Sequence, residues 1–457
     1  MKQMKVETVS TTRIRPASPT PFHLRILHLS LLDQLLPPSL YGAILLFYTS
    51  PPSSMKTVDE KLGVLFKSLA ETLVLFYPLA GKLRPDGVSI DCDDEGAFVV
   101  VSHTDSRLEG LLSRPDPTLL ERFVPARDQE TMKSAKDTVL LLQFTTFGCG
   151  GIAISICPSH KLMDASSICT FVRTWSTITT RDSHEHFSQL VKLPKFIGSS
   201  LLPPNKTLPT MKSSSASLSG PISGFAGVTR RFIFTASKVA ELKDRCSIFP
   251  EIGEKRPTRV EAVQALILKC TIRAASTQSK SRHTSVVFQS VNLRKRMDPP
   301  LPDNAVGNLS WTQPVSLGDG LNIELCEVVI KIRKVLDDFY DGRAARFVGE
   351  EGAAVIAECL REKHEMLSVG GNFYGVTSLC RFPFYEMDFG WGKPAWFVGP
   401  SVFNNFFVLT DTKSGDGVEA WMTLDAKEMD ILTRDAEFLA YATADPVDGL
   451  NLYRCRL

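Results

Sequence analysis

Ser159-His160-Lys161-Leu162-Met163-Asp164 stands where one hydrophobic periodicity ends and another begins. Ahead of it, Thr138 to Phe147 reads as a strand, Gly148-Cys149-Gly150-Gly151 as a hairpin turn, and Ile152 to Cys157 as the returning strand. Behind it, Ile168, Phe171, Val172 and Trp175 recur at helical spacing, with serine and aspartate available to cap the first turn. A histidine released at a strand end can face a ligand, and imidazole is the side chain whose ordinary pKa suits a base at neutral pH. This is the chain's only His-x-x-x-Asp match. The plainer reading is a hydrogen-bonded structural pair.

The chain has 457 residues, room for two domains of about 200 residues each, and 43% apolar with 22% charged residues is ordinary globular composition. Lys plus Arg number 52 against 50 Asp plus Glu, so no global field draws the chain to nucleic acid or an anionic membrane. The ten cysteines include no Cys-x-x-Cys pair and fall mostly in apolar segments, which predicts free thiols in a reducing compartment. His184-Glu185-His186 lacks a third ligand at useful spacing, so no metal is expected. The N-terminus has no apolar signal core, and no apolar stretch approaches the ~20 residues that span a bilayer. A cytoplasmic location is expected, with a peroxisomal one as the alternative from the terminal Cys455-Arg456-Leu457.

Strand and helix patterns alternate in both halves, which predicts an α/β fold. Ile14 to Pro21, rich in proline, reads as an edge strand and turn. Leu62, Leu65, Phe66, Leu69 and Leu73 share one helical face, ended by Tyr77-Pro78-Leu79-Ala80-Gly81. Residues 190–228 lose hydrophobic period and read as a crossover between a domain at 1–189 and another at 229–457. Beyond it, Arg231 to Phe234 is strand-like, and Thr258 and Glu261 form a capping box for a helix carrying Val263, Leu266, Ile267 and Cys270. Ser285 to Val291 is a strand running into Arg294-Lys295-Arg296, cations that suit either a solvated face or a phosphate. Asn404 to Asp411 and Val418 to Leu424 flank the hairpin turn Ser414-Gly415-Asp416-Gly417, and Asp425 can cap a last helix.

A second motif, Asp388-Phe389-Gly390-Trp391-Gly392, precedes Lys393-Pro394 late in the chain. With His160-x-x-x-Asp164 it resembles the plant BAHD acyltransferases, which move an acyl group from a coenzyme A thioester to a hydroxyl or amine. Tyr77 to Gly81, Pro257 to Glu261, Val291 to Arg294 and Asn304 to Asn308 are similar to further family blocks, so the resemblance runs along the whole chain. Within the family, the blocks look most like the branch holding alkaloid acetyltransferases.

The resemblance implies a two-domain, mixed-sheet fold of the chloramphenicol acetyltransferase type, with a channel between the domains and part of 365–400 packing on the first. It implies a monomer with no bound cofactor, acyl-CoA as co-substrate, acetyl-CoA first among donors, and an alkaloid or terpenoid alcohol as acceptor. His160 would be the general base. By sequence alone Asp164 could orient the imidazole as in a triad; the resemblance instead implies an arginine partner for it, for which Arg294 is the candidate. Thr377 is the candidate oxyanion donor. Asp388, Phe389, Gly390, Trp391 and Gly392 would form a structural loop supporting the CoA channel, and no residue is singled out as a CoA contact. Two positions depart from the family: Ala165 stands where glycine is usual, and Leu379 where tryptophan is common. An amine acceptor and a non-catalytic CoA-binding relative are the alternatives. A hydrolase is disfavoured because no Gly-x-Ser-x-Gly elbow stands at a strand-to-helix turn.

Overall fold

The computed structural model describes residues 4–50, 57–181, 192–205, 227–247, 256–278, 284–319, 323–349, 351–400 and 403–444. His184 to His186, Ser213 to Ser215 and Cys455 to Leu457 lie outside the described residues.

In the first half the elements are β1 (Glu7–Ile14), α1 (Leu31–Gln34), β2 (Ile44–Tyr48), α2 (Val58–Leu75), β3 (Ala97–Thr104), β4 (Leu140–Phe147), β5 (Ile152–Pro158) and α3 (Ala165–Thr180). The second half contributes β6 (Val228–Phe234), α4 (Ala236–Cys246), α5 (Arg259–Gln278), β7 (Ser285–Asn292), β8 (Ser310–Gly318), α6 (Leu325–Gly342) and α7 (Gly352–Ser368). It ends with β9 (Asn372–Ser378), β10 (Trp396–Val398), β11 (Phe406–Asp411), β12 (Val418–Leu424), α8 (Ala426–Leu432) and β13 (Thr443–Ala444).

Two large mixed sheets carry the fold, a six-stranded one in the order β1-β3-β4-β5-β2-β10 and a seven-stranded one in the order β8-β7-β9-β11-β12-β6-β13. The β4–β5 hairpin pairs antiparallel from Leu140↔Pro158 to Thr146↔Ile152, as the two strand-like runs around the Gly148 to Gly151 turn predict. The N-terminal edge strand lies one segment earlier than expected. It is Glu7–Ile14, rich in β-branched residues, while Pro16, Pro19 and Pro21 follow it as coil because they cannot donate to a ladder. Leu65, Leu69 and Leu73 of α2 and Phe171, Val172 and Trp175 of α3 pack on the first sheet in one core. A second core joins Val239, Leu266, Val328 and Met429, from α4, α5, α6 and α8, to one face of the second sheet. Thr258 Oγ1 and the Glu261 carboxylate satisfy each other's backbone donors at the start of α5, the capping box read from sequence.

The halves interlock. β10 is late in sequence but pairs antiparallel with β2, closing the first sheet. Its Trp396 stacks on Phe47 at 5.3 Å and donates Nε1–H to Glu419 of β12 at 3.3 Å. Glu419 also accepts from Trp421 Nε1 at 2.8 Å and pairs with Arg231 at 3.1 Å, so a buried ion pair with satisfied oxygens ties the sheets together. Val408 and Trp421 on the other face of the second sheet belong to the first half's core. Thr377 is in parallel register with Val408 and shares that face.

Candidate active site

His160 follows β5, whose Pro158 carbonyl accepts from Gly42 N–H, while the His160 N–H bonds the Leu40 carbonyl at 2.8 Å. Its ring is half-buried, and Nδ1 lies 3.0 Å from Asn308 Oδ1. The orientation of that amide is fixed by its other end. Asn308 Nδ2 donates to Asp33 Oδ1 at 3.2 Å and to the His160 carbonyl, so the oxygen is the atom that faces the ring. An amide oxygen can only accept, which places the imidazole proton on Nδ1 and the lone pair on Nε2. Nε2 has no hydrogen-bond partner among the described residues. A Cβ on Gly42 would stand 3.6 Å from His160 Cδ2, so the glycine keeps that edge of the ring uncovered.

The support beneath the imidazole is α1. Ser30 and Asp33 form a buried capping box, and Asp33 Oδ1 takes the Asn308 backbone N–H at 2.8 Å as well as its side chain. Burial pushes the Asp33 carboxyl above the usual range, against the hydrogen bonds from Ser30 and Asn308. At the other end of α1, buried Lys161 donates Nζ to the carbonyls of Leu36 at 2.8 Å, Asp33 at 3.3 Å and Gln34 at 3.4 Å. Burial pulls this ammonium down to about 8, opposed by Asp33. Asn308, Asp33 and Lys161 carried no role in the sequence reading. The only signal was the Asn304 to Asn308 block, whose Gly307, with φ of +146°, turns the chain so that Asn308 meets His160.

Asp164 points away from the ring. Its carboxylate caps α3 by accepting from Ser167 N at 2.8 Å, accepts Leu309 N at 3.1 Å, and takes a two-pronged contact from Arg294 at 2.7 and 3.0 Å. Arg294 is 1% exposed and spends its remaining donors on Ala305 O, Gly307 O, Ser167 Oγ and Asn292 Oδ1. This cluster holds the loop carrying Asn308 against the helix that follows His160. Of the neighbouring cations, Arg296 stacks 4.0 Å over the Tyr340 ring and Lys295 is exposed.

Ala165 begins α3 without a positive φ, so its methyl introduces no backbone strain. Leu379 is buried in the first half's core, where a Cβ on Gly399 would meet its Cδ1 at 2.6 Å. Thr377 is half-buried on the sheet face toward the first half. The Asp388 to Gly392 loop is tied by one oxygen: Asp388 Oδ1 accepts from the backbone of Gly390, Trp391 and Gly392 at 2.7, 3.2 and 3.0 Å. Phe389 meets Trp175 edge-on at 4.8 Å and stacks with Trp391 at 6.0 Å. Since Trp175 stands three turns along α3 from Asp164, roughly 16 Å at the helical rise, the loop braces the first half at a distance from His160.

Among the described residues no three His, Cys, Asp or Glu side chains gather as a metal site, and no helix is long and apolar enough to cross a membrane. The nine cysteines described are free.

The Transferase family model matches residues 4–439. Limonoid 7-O-acetyltransferase of Citrus sinensis is 32% identical over 97% of this chain and 99% of its own length. Limonoid 21-O-acetyltransferase of Melia azedarach is 34% identical with the same coverage of 97% and 99%. The crystal structure of vinorine synthase superposes with a TM-score of 0.79 at 28% identity, covering 96% of this chain and 98% of that one. That of TRI101 from F. graminearum, complexed with coenzyme A and T-2 mycotoxin, gives 0.72 at 18% identity over 92% and 100% of the two chains, a likeness of fold.

Proposed function

This chain belongs to the Transferase family and is a BAHD acyl-CoA-dependent O-acyltransferase, and from that premise we propose that it acetylates a hydroxyl of a polycyclic terpenoid or alkaloid alcohol with acetyl-CoA. The observation that carries the mechanism is the bond between His160 Nδ1 and Asn308 Oδ1, which leaves Nε2 as the acceptor of a proton. Nε2 takes the hydroxyl proton as the oxygen attacks the thioester carbonyl carbon. The tetrahedral intermediate then collapses, the carbon–sulfur bond breaks, and the imidazolium returns the proton to the CoA sulfur. The products are an acetate ester and free CoA thiol, so atoms and charge balance without a covalent enzyme intermediate. Holding both substrates together supplies much of the acceleration.

Thr377, on the sheet face toward the first half, donates its hydroxyl to the oxyanion of the intermediate. Asp164 and Arg294 act through the loop they fasten, and Asp388 to Gly392 act as a brace. The enzyme works as a cytoplasmic monomer. Relatives named as limonoid O-acetyltransferases and akuammiline synthase support a bulky alicyclic acceptor.

The test is incubation with acetyl-CoA and a panel of terpenoid and alkaloid alcohols, reading thiol release and product mass beside His160→Ala. An ester formed by the native protein alone supports the reading. No product, with longer acyl donors and amine acceptors included, overturns it in favour of a non-catalytic CoA-binding relative.

A further inference from the structure

Five lysine or arginine side chains are buried among the described residues, and four of them are well supplied with partners. Arg294 has Asp164, Arg231 has Glu419, Lys161 has three carbonyls, and Lys61 has Ser50 Oγ and the Gly150 carbonyl. The fifth, Lys363 of α7, is 8% exposed, and its Nζ is held by the Thr312 hydroxyl at 2.7 Å and lies 5.0 Å from the centre of the Phe288 ring. Among the described residues no carboxylate pairs with it, and burial pulls its ionisation down. An ammonium has three donors, and a buried one with a single neutral acceptor is expensive to maintain unless it awaits a partner.

Its position says which partner. α7 wraps the edge strand β8: Val355, Ile356 and Cys359 pack with Trp311, while Leu367 packs with Phe288 and Phe373 on the opposite face. Lys363 stands between these contacts and reaches Thr312, which is opposite Ser290; Phe288 is in register with Gly375, two residues before Thr377. The ammonium is therefore on the face that meets the first half. Asn308, which holds the imidazole, precedes Thr312 by four residues, at most about 13 Å of chain, and Thr377 lies two strands away, about 10 Å. The surroundings, Val286, Phe288 and Phe373 with Phe403 and Phe406 against them, are apolar and aromatic. Such a wall suits an alicyclic skeleton. The phosphates of CoA call for several cations and backbone donors together, which the described residues of this face do not gather.

We propose that Lys363 is an acceptor-recognition residue, its ammonium binding an oxygen function at the far end of a tetracyclic or pentacyclic alcohol whose reacting hydroxyl lies at His160. A carboxylate is bound most strongly, and a lactone or ketone carbonyl in the same place less so. This rests on reading the chain as an alcohol acetyltransferase and adds the second polar anchor of its substrate.

Three pentacyclic alcohols with one skeleton and the same 3-hydroxyl test it: oleanolic acid, its methyl ester and β-amyrin, which carry a carboxylate, an ester and a methyl group at one remote carbon. Equilibrium binding to the native protein should rank acid, ester, β-amyrin, with at least a tenfold span. Lys363→Met should abolish the ranking, Lys363→Arg should keep it, and both should bind CoA within twofold of native. Equal affinity or no binding across the three, a ranking that survives in a folded Lys363→Met protein, or a loss of CoA affinity in its place would each overturn the assignment. Product mass is read separately. A ranked set that binds without being acetylated supports the Lys363 site and counts against the acetylation of such alcohols, whereas acetylation without ranking does the reverse.

Discussion

The imidazole of His160 hangs from Asn308, 148 residues away, and not from Asp164, four residues away: Nδ1 and Oδ1 stand 3.0 Å apart. A neutral amide holds the ring in one tautomer without adding charge beside it, and Asp33 holds the amide. The carboxylate of the motif is occupied elsewhere, by Arg294 and the first turn of α3.

Asn308→Ala removes the anchor of the ring while the Asp33 capping box keeps its own hydrogen bonds. We expect kcat to fall about 10- to 100-fold with KM for acetyl-CoA within about twofold, against roughly 10²- to 10⁴-fold for His160→Ala. Steady-state kinetics on the acceptor found by the panel measure both. A folded Asn308→Ala enzyme with native kcat would remove Asn308 from the mechanism.

Asp164→Ala strands a guanidinium that is 2% exposed. Breaking one partner of such a pair costs about 3 to 5 kcal/mol, and here a helix cap is lost with it. Replacing both partners, Asp164→Leu with Arg294→Met, removes the stranded charge and should recover part of that loss. Urea midpoints of the two variants give the comparison; a double variant no more stable than the single would contradict the account.

How much of this was readable in sequence follows from what periodicity reports. The β4–β5 hairpin, α3 and the Thr258–Glu261 capping box are local, and their side chains alternate or recur within a few residues. The approach of Asn308 to His160 and the pairing of β10 with β2 are contacts across 148 and about 350 residues, made by segments too short to show a period. The partners of Lys161 were hidden for a different reason: a lysine beside the motif looks like solvated surface until the carbonyls that receive it are in place. Leu379, which stands where tryptophan is common in the family, packs closely on Gly399 within the first half's core, a contact between segments 20 residues apart that no local period reports.

Gly392→Ala isolates a backbone effect. The residue has φ of +102°, and nothing lies within 4 Å of the Cβ it would acquire, so the cost is conformational with no clash. We expect about 1 to 3 kcal/mol of lost stability with kcat close to native, because the loop braces α3 far from His160. Loss of kcat at native stability would instead place the loop in the chemistry.

Lys363→Met gives a pH test that needs no ligand. Burial holds the Lys363 ammonium down to about 8, below the 10.5 of a free lysine, so between those values the unfolded chain binds more protons than the folded one. The native protein therefore gains stability relative to the variant as pH rises through that window, and bears the full penalty of the buried charge below it. Tyrosines and cysteines that titrate in the same range are common to both proteins and cancel in the difference. Lys363→Met should unfold at higher denaturant than native at pH 7, less a small loss for the Thr312 hydroxyl left behind, and the gap should narrow by pH 9.5. Denaturation midpoints of the two proteins at these pH values decide the matter: a gap of unchanged size would mean that the ammonium reaches solvent in solution, and the face beside Phe288 would then hold no buried cation for an acceptor to find.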